Sequence, residues 1–321
     1  MPSLARRHRP LLAAAAAALA AIPLAACAAS SPAASPAASP AASTAFSPRA
    51  GGYVALGDSY TAGPDIPDQA GQPAGCQRSS RSYPYLVARA LGLAAGQVRD
   101  MSCAGATTRE LTTPQRTSDG TNPAQLSALS ATTTLVTVGI GGNDIGFGPA
   151  LTRCVELDLL PVLIGKGTST MTPCQDYYTS VGGSDLQQRI QDAGRGLAAA
   201  LAAIKARAPE ARVYVVGYPD LLPASASAGC SLSLGITSGD LAFINQQEQR
   251  LNQTLRERAA ADGASYVDTY TPSAGHDACT VPAVRWTEPL RPSSPAAPLH
   301  PNATGEQELA QAVVQAIRGD G

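Results

Sequence analysis

Ser59 follows Tyr53-Val54-Ala55-Leu56-Gly57-Asp58, an apolar run broken by a glycine. Such a run reads as a buried strand, and the handover to a loop presents the Ser59 hydroxyl at the strand's carboxyl end, beside free backbone N–H groups. Gly-Asp-Ser is also ordinary turn chemistry, so the tripeptide needs partners before it means catalysis. A serine that opens an ester needs a base within hydrogen-bond reach and donors aimed at the developing oxyanion. Beyond the amino-terminal leader the chain holds two histidines, so the search for the base is short. His300 sits in Leu299-His300-Pro301-Asn302, where flanking prolines stiffen the loop before a last helix. His276, in Gly275-His276-Asp277-Ala278-Cys279, is the competing base; a structural or pocket-lining place suits it better.

The elements that must position these groups alternate. Strands are predicted at Tyr53–Leu56, Val98–Cys103, Leu135–Ile140, Val213–Gly217 and Ser265–Asp268. Helices are predicted at Tyr83–Leu91, Leu186–Ala208, Gly239–Ala261 and Asn302–Ile317. Strands alternating with helices imply crossovers, and so an α/β fold: a three-layer α/β/α sandwich on a parallel sheet of about five strands. Three strand ends repeat one arrangement of apolar run, glycine, then polar residue: Gly57-Asp58-Ser59, Gly105 in Ala104-Gly105-Ala106-Thr107, and Gly141-Gly142-Asn143-Asp144. The stretch between Cys154 and Cys174 looks irregular and reads as an insertion near the site, more plausibly a packed loop than a lid or acyl-binding wall.

Residues 1–26 carry Arg6, Arg7 and Arg9 before an Ala/Leu-rich run, the composition of a secretory signal and too short to favour a spanning helix. Leu24-Ala25-Ala26-Cys27 resembles a lipobox, which would make Cys27 a lipidated first mature residue; a plain cleavage site is the alternative. Residues 27–49, rich in Ala, Ser and Pro, form a flexible linker, and 50–321 form one domain. Anchor, spacer and domain suit an exported protein, cell-surface or secreted, that meets a membrane surface through its amino terminus. Removing the leader's three arginines takes the net charge from −1 to −4. With no basic run beyond the leader, nucleic acid is excluded as a partner. Setting Cys27 aside, six cysteines in an exported chain favour three disulfides. Pairing of neighbours gives Cys76–Cys103, Cys154–Cys174 and Cys230–Cys279. No cysteine pair has metal-knuckle spacing, so no metal and no cofactor is expected.

Gly57-Asp58-Ser59, Gly105, Gly142-Asn143-Asp144 and the late His300-Pro301-Asn302 together resemble the four sequence blocks of the GDSL/SGNH hydrolases, whose fold is flavodoxin-like. The resemblance runs from about Tyr53 to the carboxyl terminus. The cysteine spacing and the Gly275–Cys279 run are most similar to secreted actinobacterial lipases and esterases of that family. It implies Ser59 as nucleophile, His300 as general base, and an oxyanion hole made by the Ser59 and Gly105 N–H groups and the Asn143 side-chain amide. The family's usual Asp three residues before the histidine is here Ala297. A Ser59–His300 dyad oriented by a main-chain carbonyl near Pro295–Ala297 is therefore expected, unless Asp58, Asp144 or Asp277 supplies a displaced carboxylate. The expected activity is carboxylic ester hydrolysis, of lipid or acyl-glycerol type, by a monomer. The alternatives are a glycan O-acetyl esterase, for which the few aromatics offer little stacking surface, and a catalytically inactive surface-binding lipoprotein of the same fold.

Overall fold

The computed structural model describes residues 52–180, 185–225 and 227–320. The leader, Cys27 and the linker lie outside the described residues. Five parallel strands, β1 (Tyr53–Gly57), β2 (Val98–Asp100), β3 (Leu135–Gly139), β4 (Arg212–Val216) and β5 (Ser265–Val267), form one sheet in the order β2-β1-β3-β4-β5. Chain order reverses between β1 and β3, and open α/β sheets take their ligands at the carboxyl ends flanking such a switch.

Alternation along the strands feeds two apolar layers. Val54, Leu56, Val136 and Val138 face a cluster with Leu197, Ile204, Leu251 and Leu255. Tyr53, Ala55, Leu135 and Tyr214 face one with Val87, Leu309, Val313 and Ile317. Each such buried side chain contributes about 1.5–3 kcal/mol, so β1 and β3, buried at every position, are held from both sides. The helices follow in chain order as α1 (Ser59–Ala62), α2 (Tyr83–Ala90), α3 (Phe147–Pro161), α4 (Pro173–Thr179), α5 (Leu186–Arg207), α6 (Ala228–Leu234), α7 (Ser238–Ala261), α8 (Tyr270–Ser273) and α9 (Ala303–Gly319). Helices α5 and α7 cover one face, and α2 and α9 the other. Asn302 caps α9 by accepting from the Thr304 and Gly305 N–H groups, which anchors the segment carrying His300.

The chain departs from expectation in three places. The second strand ends at Asp100 rather than Cys103: the Met101 and Cys103 N–H groups still donate to the Ala55 and Gly57 carbonyls, but Ser102 turns its N–H and hydroxyl onto the Asp100 carboxylate. An antiparallel hairpin, Gln115–Thr117 with Gly120–Asn122, was not anticipated; its Gln115 and Asn122 amides donate to the Ala104 and Met101 carbonyls and pin that turn. The stretch between Cys154 and Cys174 is irregular only in its second half: α3 runs to Pro161 and into a turn over Val162–Lys166 that loses helical geometry at Ile164 and Gly165, and 167–172 form a loop before α4. Its pattern is inverted: Leu160, Leu163 and Ile164 are exposed while Asp158 is buried, accepting from the Thr237 N–H and hydroxyl. The cysteines pair as Cys76–Cys103, Cys154–Cys174 and Cys230–Cys279.

Candidate active site

Ser59 is the first residue of α1, with Asp58 as N-cap accepting from the Tyr60 N–H at 2.9 Å. Gly57 permits the handover: a Cβ there would sit 2.1 Å from the Thr61 hydroxyl. Gln125 completes the edge, its side chain accepting from the Gly57 N–H and donating to the Gly57 carbonyl at 2.8 and 2.9 Å, as a neighbouring strand would.

His300 Nε2 lies 2.8 Å from Ser59 Oγ. Its Nδ1 lies 2.8 Å from the Pro298 carbonyl, which assigns the proton to Nδ1 and leaves Nε2 to accept from the serine. The acceptor is thus one residue beyond the expected Pro295–Ala297 window. The displacement has a local cause: Leu299 adopts a left-handed conformation, φ +59°, folding the 298 carbonyl back under the ring. The Tyr60 hydroxyl holds this turn by donating to the Leu299 carbonyl at 2.6 Å, and the Tyr60 ring stacks on His300 at 4.6 Å. Leu299 and His300 are also zipped to Glu288, whose carbonyl accepts from Leu299 N–H and whose N–H donates to the His300 carbonyl, both at 3.0 Å.

None of the three candidate carboxylates reaches the ring. Asp58 is buried and accepts from the Tyr218 hydroxyl at 2.5 Å. Burial pushes its carboxyl up to about 7, against the pull of the Tyr218 and Tyr60 hydrogen bonds. Asp144 accepts from the Thr108 N–H and hydroxyl, tying the third strand's loop to the second's. Asp277 accepts from the Cys279 N–H. His276 is elsewhere, stacked on Trp286 at 4.0 Å with Nδ1 on the Val284 carbonyl. Burial lowers the His300 value below the ordinary 6.5, with the Pro298 carbonyl acting in the opposite direction; the neutral form is favoured.

Ser59, Asn143 and His300 line one cleft of about 140 Å³, walled by Tyr60, Phe147, Leu151, Leu221 and Leu251. Gly105 stands at the adjoining turn, where φ +79° suits a glycine. Asn143 Nδ2 donates to the Ala106 carbonyl at 2.9 Å, coupling that turn to the third strand's loop; its second N–H remains for a ligand. Among the described residues the N–H groups of Ser59 and Gly105 have no acceptor within the chain. Tyr218 completes the arrangement by accepting from the Gly142 N–H at 2.7 Å while donating to Asp58. Tyr60, Tyr218 and Pro298 had no assigned part beforehand. Gly217-Tyr218 repeats the strand-glycine-polar arrangement a fourth time and was the available signal for Tyr218. Neutral serine, imidazole and converging N–H donors can transfer an acyl group from an ester to water.

Residues 55–308 match the family model of the GDSL-like lipase/acylhydrolases. The chain belongs to that family. Lipase 2 of Streptomyces coelicolor is 38% identical over 81% of this chain and 83% of its own length; Lipase 1 of the same organism is 31% identical over 80% and 83%. Among solved structures, phospholipase A1 from Streptomyces albidoflavus NA297 superposes with TM-score 0.62 at 25% identity, covering 84% of this chain and 99% of that one. The extracellular lipase from Streptomyces rimosus gives TM-score 0.61 at 26%, covering 84% and 99%. The GDSL-like hydrolase described here is an ester hydrolase.

Proposed function

We propose that Ser59 attacks the ester carbonyl while His300 takes its proton at Nε2, and that the same nitrogen then protonates the departing alkoxide. The Ser59 and Gly105 N–H groups and the Asn143 amide would receive the oxyanion of the tetrahedral intermediate. Collapse leaves an acyl-Ser59, which water, deprotonated by His300, hydrolyses. The observation that carries this reading is the 2.8 Å approach of Ser59 Oγ to an imidazole whose other nitrogen is occupied by a carbonyl. A neutral carbonyl orients the ring as a carboxylate does, but offers the imidazolium less charge stabilisation.

The substrates are acyl-lipid esters, glycerides or phospholipids, with the acyl chain in the cleft. Support comes from the leucine and aromatic walls and from the lipase and phospholipase relatives. The catalytic unit is the 50–321 domain, acting as a monomer. Export is supported by the three disulfides and the leader composition, and attachment at the cell surface by the lipobox-like Cys27.

A panel of p-nitrophenyl esters from acetyl to palmitoyl, set beside acetylated glycan, tests the substrate class. Cleavage of the glycan alone would reverse it. His300→Ala should reduce turnover by about 10⁴-fold or more, and an active-site phosphonate should label Ser59. Wild-type turnover in that variant would remove His300 from the mechanism.

A further inference from the structure

Two cavities meet at the inner face of α3. One is the cleft that holds Ser59 and His300. The other is a small apolar cavity of about 10 Å³, lined from α4, α5 and α7 by Tyr178, Leu186, Phe243 and Ile244. The two share Phe147 and Leu151 and no other lining residue. These side chains stand four positions apart, one above the other on a single helix face. The partition between cleft and cavity is therefore one layer of side chains thick. Leu151 is 6% exposed, and Cys154, next along that face of α3, is bonded to Cys174 of α4, which holds the backbone of the wall in place.

The rear cavity is suited to hydrocarbon. A water needs at least about 10–15 Å³ and two to four polar partners. The one side-chain amide in the lining, that of Gln247, already donates to the Phe243 carbonyl at 3.5 Å. A space so small and apolar stays dry. A methylene that enters it displaces no water and supplies the contacts its lining lacks.

We propose that Leu151, seconded by Phe147, is the specificity-determining residue for acyl-chain length: it closes the cleft, and the cavity behind it is the continuation that a longer chain would need. The inference rests on the reading that the cleft holds the acyl chain.

The test is kcat/KM of the full chain on p-nitrophenyl esters of every acyl length from acetyl to palmitoyl. The wild-type enzyme should show an optimum and a fall beyond it. Leu151→Ala removes the isopropyl group from the wall and joins the cavities, so the optimum should move up by about three methylenes. Each added methylene should bring about fourfold in kcat/KM. Leu151→Val, the milder variant should the alanine one fail to fold, should move the optimum by about one methylene. Ala150 lines the rear cavity but not the cleft. Ala150→Leu should leave the wild-type profile as it is and cancel the gain when combined with Leu151→Ala. A wild-type profile without an optimum, an optimum unmoved in the Leu151 variants, or a gain that survives Ala150→Leu overturns the proposal. Leu221, which lines the cleft alone, separates the two readings. If Leu221→Phe fails to shorten the preferred chain, the cleft is not the acyl site. If it does shorten it while the Leu151 variants move nothing, only the Leu151 inference fails.

Discussion

Tyr218→Phe removes one oxygen and two hydrogen bonds at the base of the site. The lost donor leaves Asp58 Oδ2 without its 2.5 Å partner, and the lost acceptor leaves the Gly142 N–H without its 2.7 Å one. A hydrogen bond to an ionised group is worth about 1.5–3 kcal/mol, and a stranded buried donor costs about 1–3. We expect a net loss of about 3 kcal/mol, or roughly 6–12 °C in Tm for a domain of this size. The loss should depend on pH. Asp58 titrates near 7 in the folded protein, above its ordinary 3.8. Its contribution to stability is therefore fully present in acid and is lost as pH rises through about 7. Without the Tyr218 hydroxyl the carboxyl is pushed higher still, so the variant should lose more at pH 8 than at pH 5. Replacing Asp58 with Asn in the same chain removes the buried charge, so the double variant should lose less than the two singles combined. Because Gly142 precedes Asn143, turnover should fall about tenfold or more, with KM little changed. Urea titrations at the two pH values, with kcat on p-nitrophenyl butyrate, supply the readout. A pH-independent loss, or additive single variants, would refute the reasoning.

Since burial holds His300 below 6.5, and only the neutral ring can take the serine proton, kcat/KM should persist into mildly acidic solution. An acid limb centred above 6.5 would contradict this. Asn143→Ala should lower kcat by about 10²–10³-fold while the far-ultraviolet circular dichroism stays unchanged. Replacing Cys76 and Cys103 with alanine should cost about 3 kcal/mol, measured in denaturant. It should also depress turnover, because Ala104 N–H donates to the Cys76 carbonyl beside Gly105.

The sheet was legible because β1 and β3 are buried on both faces and so read as unbroken apolar runs. Long helices such as α5 and α9 carried clear periodicity, and Asn302 announced its own cap. Helix α3 was hidden because its exposed side is leucine-rich while Asp158 turns inward, reversing the usual polarity of a surface helix. At the site, Ser59, Asn143 and His300 could be named because each follows or precedes a punctuated element. The Pro298 carbonyl could not be singled out, since every residue carries a carbonyl and only the left-handed turn at Leu299 selects this one. Tyr218 and Asp58 meet across 160 positions, a pairing that no local pattern encodes.

A carboxylate that steers an imidazole can be erased by a single codon change. The oxygen that steers His300 belongs to the polymer's own backbone, and no replacement at position 298 takes it away. On the proposed Ser59–His300 mechanism, the third member of the catalytic apparatus lies out of reach of side-chain mutation. The vulnerability passes instead to whatever keeps the turn bent: the phenol of Tyr60 and the helical handedness of Leu299.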